Sequence, residues 1–378
     1  MSSVEEFRAE IRGWLKTHLS GSFAALKGRG GPGREHEAFA ERLAWERHLA
    51  AHGWTCVGWP KEYGGRGATI EEQIAFHEEY ALADAPARVN HIGEQLLGPT
   101  LIDHGTEEQK ARFLPPIRAV EELWCQGYSE PGAGSDLAAV RTRAAREGDA
   151  WTVTGQKIWT SLAHEAQWCF VLARTEPGSR RHAGLSYLLV PLDGPGVDIR
   201  PIVQLTGTSE FNEVFFDGAR TDAANVVGAP GDGWRIAMAT LGHERGVSTL
   251  GQQVGFRREL DALVALARRN GAAADPDIRD RLTRAWAGLQ ALRAGALRGT
   301  DPSAAKLYWS HWHRDLGELA LEVCGPAATL AAAAPYELDD WQRLFLFSRA
   351  DTVYAGSSEI QRNIIAERLL GLPKEPRP

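Results

Sequence analysis

The pattern of hydrophobic residues changes twice along the chain, and this change constrains the fold more than any other feature. Up to about residue 122, apolar residues recur at steps of three and four, as amphipathic helices require. Short β-rich runs such as WTVTGQKIWT and GLSYLLVPL follow, separated by glycine, proline and aspartate. Helical spacing then returns. The sequence therefore predicts an N-terminal helical domain (1–122), a β domain (123–228) and a C-terminal helical domain (229–378).

The order of these elements predicts an α+β protein. A doubly wound parallel sheet requires a helix after each strand, so that successive strands can run in the same direction. Here the strand-like runs follow one another without intervening helical stretches. The sequence therefore argues against a parallel dinucleotide-binding sheet.

Composition excludes several classes of protein. The net charge of −7 is spread over mixed acidic and basic residues, so we expect no nucleic-acid partner. The N-terminal stretch is amphipathic and lacks the apolar core of a signal peptide, and no run approaches the ~20 apolar residues that span a bilayer. Four scattered cysteines without a C-x-x-C pair suggest neither a disulfide framework nor a zinc site. We expect a soluble, cytoplasmic protein that is not bound to a membrane.

Three segments carry the residues best suited to chemistry. YSEPGAGSD (128–136) is a glycine- and proline-containing loop whose backbone could closely approach a planar ring or a pyrophosphate. It matches neither the dinucleotide-binding nor the P-loop pattern, and taken alone it favours a simple turn between domains. GQKIWTS (155–161) is predicted to lie on a strand, and AGSSEIQRNIIAER (355–368) opens a helix.

In this order and separation, the three segments resemble the acyl-CoA dehydrogenase family. WPKEYGG, FNEVFFD and GDGWRIA extend the resemblance over nearly the whole chain. It implies a middle antiparallel, β-barrel-like domain and a C-terminal four-helix bundle. It also implies FAD-dependent α,β-dehydrogenation of an acyl-CoA thioester to a trans-2-enoyl-CoA, with an electron-transfer flavoprotein as electron acceptor.

The same resemblance implies which residues would contact FAD. The loop would line the flavin, Trp159 would pack against the edge of the ring system, and Ser161 would donate a hydrogen bond near its reactive nitrogen. Without the resemblance, Trp159 would read as a core aromatic residue, since the chain has 13 tryptophans. The implied FAD-binding residues are Ser129, Gly134, Ser135, Trp159, Ser161, Gly325, Ser357 and Glu359.

The catalytic base is predicted at Glu244. Many family members place a glutamate directly before the glycine of the last segment, where this chain has Ala355. Other members place it on an earlier helix, immediately before an arginine, as in Glu244–Arg245, and Arg245 is then expected to bind substrate. The alternative is a structural ion pair of Glu244 with Arg245 or with a nearby helix residue. Independently, helical spacing aligns Trp234, Ala237, Leu241, Glu244 and Ser248 on one face.

Ala355 keeps a function in this interpretation. The family resemblance implies that its backbone N–H, together with a flavin ribityl hydroxyl, binds the thioester carbonyl as an oxyanion hole. A change of side chain leaves that N–H in place. One such donor typically contributes about 10²–10³ in rate.

Two departures from the family pattern concern the assembly. ARRNGAAADPDIRDRL (267–282) replaces a segment that usually reaches the neighbouring subunit's FAD, and is predicted to be a flexible connection. VCGPAAT, around Gly325, is a reduced form of a glycine-rich segment. The assembly is therefore expected to be either a homo-oligomer or a heterotetramer with a paralogous chain. The alternative functions are a non-catalytic subunit of such a complex and a flavin monooxygenase or oxidase.

Other conspicuous residues carry weaker predictions. Trp54, Trp59 and Trp124 could line an apolar acyl pocket or could equally belong to the core. The remaining candidates are histidines and glutamates, which are residue types that bind metals. Residues two apart on a helix point to different sides, so no site is predicted from Glu78, Glu79, His243, His311 and His313.

Overall fold

The structure is a computed structural model that describes residues 3–244, 248–333 and 336–374. The side chains of residue 3 and of residues 244–251 are outside this description. The side chain predicted to act as the base, at Glu244, therefore falls outside the described part, and Arg245 does so entirely.

The N-terminal part is helical, as predicted. In its first helix, Phe7, Ile11 and Leu15 form one buried stripe, which is the amphipathic spacing read from the sequence. Thr69 and Thr106 cap the third and fifth helices through reciprocal bonds with the residue three positions later. The helices are α1 (Ser3–His18), α2 (Phe39–Ala51), α3 (Ile70–Leu82), α4 (Gly98–His104) and α5 (Glu107–Ala119).

The middle part forms a mixed sheet with the strand order β6-β7-β3-β2-β4-β5-β8, and β1 pairs with β4. The expected antiparallel pairing applies to β2–β3, β3–β7, β4–β5, β5–β8 and β6–β7, whereas β1 and β2 run parallel to β4. The parallel pairs are possible because a long stretch of chain separates their members. The strands are β1 (Trp124–Gly127), β2 (Arg143–Glu147), β3 (Ala150–Ser161), β4 (Trp168–Arg174), β5 (Leu185–Pro191), β6 (Val197–Ile202), β7 (Phe211–Asp222) and β8 (Val226–Val227).

The C-terminal part is helical again. Its long helices α7, α8, α9 and α10 share one apolar core, to which they contribute residues such as Leu263, Leu289, Leu316 and Leu344. This confirms the predicted four-helix bundle. The helices are α6 (Gly233–Glu244), α7 (Ser248–Asn270), α8 (Pro276–Leu297), α9 (Pro302–Cys324), α10 (Asp340–Asp351) and α11 (Ser358–Ile364).

The connection between α7 and α8 differs from the prediction of a flexible segment. It is a short turn in which Gly271 takes a left-handed backbone, with φ of 85°. The Asn270 side chain donates to the Val323 carbonyl oxygen at 2.7 Å, and Asp275 caps the start of α8. These polar residues satisfy helix ends, which is why a loop-like composition forms an ordered turn.

The three tryptophans whose role was open belong to the core. Trp54 lies in the core of the N-terminal helices. Trp59 and Trp124 lie in a second core, which joins α4 and α5 to the sheet and to Ile236 of α6. Each of the three side chains is at most 5% exposed. No helix among the described residues is long and apolar enough to cross a membrane.

Candidate active site

The glycine-containing loop and strand β3 meet at one point. The Ile158 N–H donates to the Ser129 carbonyl oxygen at 2.9 Å, which fixes the loop beside Trp159. Within the loop, Glu130 and Ala133 exchange two backbone hydrogen bonds of 2.9 and 3.0 Å. The loop is therefore a tight, anchored turn. Two of the segments singled out in the sequence thus form one site.

A buried ion pair holds this loop against the sheet. The Lys157 Nζ donates to a Glu130 carboxylate oxygen at 2.8 Å and to the carbonyl oxygens of Tyr128 at 3.0 Å and Leu172 at 2.8 Å. The Glu130 carboxylate also accepts the backbone N–H groups of residues 141–142. The sequence analysis missed this lysine. An isolated lysine between the apolar positions of a strand was the available signal.

The charges of this pair balance each other. Burial lowers the pKa of Lys157, and the adjacent Glu130 carboxylate partly offsets that effect. Burial alone would raise the pKa of Glu130, but Lys157 and the backbone donors outweigh it and hold this pKa below its usual value. The 2.8 Å contact between Nζ and the carboxylate, together with the two backbone donors to Glu130, holds the loop through a charge-assisted network.

Trp159 is not a core residue. Its side chain is 57% exposed, and its backbone is left-handed with φ of 60°. A register shift between Lys157 and Thr160, where β3 pairs with β7, produces this conformation. The Trp159 ring packs edge-on against the Phe211 ring, with the ring centroids 6.3 Å apart. A large aromatic side chain held outward by a strained bulge is typical of a ligand-contacting position.

The neighbouring predicted residues leave space beside this tryptophan. Gly134 and Ser135 are exposed, and a Cβ added at Gly134 would meet nothing within 4 Å. Ser161 is half-buried at the end of β3, where it pairs in register with Phe211. The open side of the loop can therefore accept a flat ligand against Trp159.

A cleft of about 440 Å³ is lined by Leu162, the residue that follows Ser161. Its walls also include Phe39 and the carboxylate residues Glu35 and Glu210. Acidic walls disfavour an anionic ligand, because like charges repel.

The segment between α10 and α11 is shaped by a second strained residue. Ala355 has a φ of 51°, and Gly356 follows with 87°. The Gln361 side chain donates to the Ala355 carbonyl oxygen at 3.0 Å, and Ser357 caps α11 by accepting the Ile360 N–H. Across the residues that the structure describes, no acceptor takes the Ala355 N–H. That donor is available to a ligand.

For Glu359 and Gly325, the structure shows no feature that points to a ligand among the described residues. Glu359 is exposed and lies 3.7 Å from Arg362, so its visible contact is a surface ion pair. Gly325 ends α9 with φ of 64°. Hydrogen bonds and ring contacts unite Ser129, Trp159 and Ser161 in one region, while Ala355 and Ser357 occupy the α10–α11 connection. The FAD contacts expected of all eight residues remain predictions.

A charged histidine fixes the end of α10, four residues before Ala355. His313 Nδ1 lies 2.5 Å from the Asp351 carboxylate, and Nε2 lies 2.9 Å from that of Glu259. Burial alone would lower the pKa of His313, but the two carboxylates raise it to about 9. Since both ring nitrogens are engaged by acids, His313 has a structural role and not that of a metal ligand.

This network predicts that stability falls at alkaline pH. The pKa of His313 is raised from 6.5 to about 9 by folding, so its contribution is complete below pH 6.5 and lost as pH rises through about 9. The midpoint of thermal unfolding should therefore decrease across that window. His313→Gln should flatten this part of the profile. An unchanged slope in that variant would assign the pH dependence to other groups.

Helix α6 brings the Glu244 position close to the domain junction. Its buried face includes Ile236, Ala237 and Thr240, and the Thr240 and Thr100 hydroxyls lie 2.8 Å apart. Of the predicted stripe, Ala237 is buried and Leu241 is half-buried. Glu244 is the last residue of α6, four positions after Thr240. Its catalytic role remains a prediction, as does substrate binding by Arg245.

Three family profiles match in order: acyl-CoA dehydrogenase N-terminal domain at residues 2–121, middle domain at 125–219 and C-terminal domain at 231–370. The acyl-CoA dehydrogenase IpdE1 of Mycobacterium tuberculosis is 67% identical over 385 residues, covering 99% of each chain. The acyl-CoA dehydrogenase IpdE1 of Mycolicibacterium smegmatis is 64% identical, and the match also covers 99% of each chain.

Two solved structures share the fold. The steroid acyl-CoA dehydrogenase Tcur3481-Tcur3483 superposes with a TM-score of 0.85 at 31% identity, covering 99% of each chain. The ChsE4-ChsE5 complex from Mycobacterium tuberculosis superposes with a TM-score of 0.82 at 30% identity, again covering 99% of each.

Proposed function

The chain belongs to the acyl-CoA dehydrogenase family, and we propose that it catalyses FAD-dependent α,β-dehydrogenation of an acyl-CoA thioester to the trans-2-enoyl-CoA. The observation that carries this proposal is Trp159, held exposed and strained beside an anchored loop. An electron-transfer flavoprotein is the proposed electron acceptor.

The residues present fit a flavin. A planar ring system needs an aromatic wall and a close backbone approach, and Trp159 and Gly134 offer these beside open space. Ser129, Ser135 and Ser161 supply hydroxyls around the same point. When bound there, FAD supplies the acceptor for the hydride that leaves the substrate's β-carbon.

The chain's own residues supply proton transfer and polarisation. The Ala355 N–H would donate to the thioester carbonyl oxygen, which stabilises negative charge that develops as the α-proton leaves. The Glu244 carboxylate would accept that proton. The electron pair of the broken Cα–H bond then forms the double bond while the Cβ–H bond is broken. Arg245 would bind the substrate next to the base.

The visible absorption of the bound flavin tests the proposed dehydrogenation. Purified protein should be yellow, and anaerobic addition of a suitable acyl-CoA should bleach the flavin absorption while an enoyl-CoA product forms. Since the acyl group is unknown, a panel should include straight-chain, branched and ring-bearing thioesters. Flavin-loaded protein that no member of the panel reduces would contradict the proposal.

Replacement of Trp159 by glycine should separate folding from cofactor binding. Glycine adopts left-handed backbone without strain, so the apoprotein should be no less stable than the wild type. Loss of the aromatic contact should weaken FAD binding by about tenfold. Apoprotein melting and FAD titration measure the two effects. Equal FAD affinity in both proteins would assign Trp159 another role.

For the assembly, we propose a heterotetramer with a paralogous chain. Its support is the similarity to the ChsE4-ChsE5 complex and to Tcur3481-Tcur3483. By the same similarity, a ring-bearing, steroid-derived acyl-CoA is the proposed substrate class. In addition, Val203, Leu205 and Tyr336 are more than half exposed, and the Tyr336 hydroxyl donates to the Leu205 carbonyl oxygen at 2.8 Å. Exposed apolar groups gathered in this way favour a protein interface.

Co-expression with a paralogous acyl-CoA dehydrogenase chain tests the assembly. The two chains should co-purify, and the complex should retain more FAD than this chain alone. Leu205→Asp should weaken the complex, whereas Ile70→Asp, at another exposed apolar residue, should not. A stable homotetramer with a full complement of FAD would contradict the heteromer while leaving the reaction intact.

A further inference from the structure

Three histidines meet where α1 and α2 end, and none of them is among the residues proposed to bind FAD or substrate. His18 is the last residue of α1, His48 lies in the last turn of α2, and His52 caps α2. One ring nitrogen from each lies within 4.8 Å of the others. The sequence analysis did not single out these three histidines; thirty positions separate the first two, so no local spacing pattern joins them.

The hydrogen bonds define which nitrogens are available. His18 Nδ1 and His48 Nε2 are 2.8 Å apart, so one of them must be an unprotonated acceptor. His52 Nδ1 lies 2.8 Å from the His48 carbonyl oxygen, which can only accept, so this nitrogen carries the proton. The lone pair of His52 is then on Nε2. Metal-binding histidines commonly donate their second nitrogen to a carbonyl in this way.

The spacing suits a small metal ion. Bonds of about 2.0–2.1 Å from zinc to imidazole place tetrahedral ligand atoms roughly 3.3 Å apart. The His18–His48 pair, at 2.8 Å, would open by about half an ångström, and the widest pair would close by roughly 1.5 Å. Since His52 is exposed and lies at a helix end, its ring is the one that can make the larger shift.

Aromatic packing holds the other two rings in position. Trp14 stacks on His18, with ring centroids 4.3 Å apart, and Phe23 and Trp45 pack against His48 at 5.4 and 5.9 Å. Because these rings are already held in place, metal binding costs less conformational entropy. The exposed side of His52 leaves a path for the ion and room for a water as fourth ligand.

We propose that His18, His48 and His52 bind a divalent transition-metal ion, with Zn²⁺ as the best-suited ion, and thereby join the ends of α1 and α2. Three imidazoles select zinc, nickel or copper over magnesium and calcium, which require oxygen ligands. The site lies outside the residues proposed for dehydrogenation.

The test uses the full chain, stripped of metal by a chelator. Titration with Co²⁺ should give the visible absorption of a four-coordinate ion at one site per chain, and Zn²⁺ should abolish it. Zn²⁺ should also raise the melting temperature, whereas Mg²⁺ should not. His48→Gln and His52→Gln should each weaken Zn²⁺ binding by at least about 10–100-fold, the loss typical even for outer partners of a ligand.

The matched control is His182→Gln, which removes an exposed histidine outside the cluster and should bind Zn²⁺ like the wild type. Circular dichroism of each variant separates loss of a ligand from loss of fold. Two results would overturn the proposal: no Zn²⁺ binding up to millimolar concentration, or one-to-one binding of unchanged affinity in folded His48→Gln.

Discussion

Glu244→Gln should reduce turnover by about 10²–10⁴-fold, the range typical for loss of a general base, while FAD and acyl-CoA still bind. The amide retains the size of the carboxylate but cannot accept the α-proton. The measurement is anaerobic reduction of the bound flavin by an acyl-CoA. The rate should fall, whereas the spectral change on binding of a non-oxidisable thioester should persist.

The control for this variant is Asp261→Asn, which makes the same carboxylate-to-amide change at an exposed position on α7. It should reduce flavin at the wild-type rate. Turnover of Glu244→Gln close to that of Asp261→Asn would reject Glu244 as the base. It would then favour the alternative in which this chain completes the flavin site of a catalytic partner.

The sequence predicted the family, the fold class and the order of the domains because these depend on patterns repeated over many residues. Buried stripes such as Phe7, Ile11 and Leu15 set helix faces, and cap residues such as Thr69 set helix ends. The similarity to known acyl-CoA dehydrogenases confirms the family. The division at 1–122, 123–228 and 229–378 stays a prediction, although the elements change type at these points.

The site was predictable only in part, because it depends on the local backbone and burial of individual residues, which a sequence pattern does not reveal. The residue type alone would predict that Trp159 is buried in the core. A local register shift in β3 instead exposes its side chain. Lys157 looked like an ordinary strand residue, yet its burial makes it the anchor of the loop. His18 and His48 become neighbours through helix packing that no local pattern encodes.

Lys157→Met should have the largest effect on stability. Methionine fills the space but leaves the Glu130 carboxylate buried without its cation, and breaking a buried pair in this way costs about 3–5 kcal/mol. For a chain of 378 residues, the melting temperature of the apoprotein should fall by roughly 4–6 °C. Since the lysine also bonds the Tyr128 carbonyl, FAD affinity of the folded variant should fall as well.

A double variant tests whether the isolated charge is the cause. Lys157→Met combined with Glu130→Gln removes both charges, so it should recover part of the lost melting temperature, because a neutral amide costs less to bury than a lone carboxylate. Lys27→Met, at an exposed lysine, should leave the melting temperature unchanged. If the double variant is less stable than Lys157→Met, the hydrogen bonds of Glu130 to the backbone of residues 141–142 outweigh its ion pair, and the carboxylate itself anchors the loop.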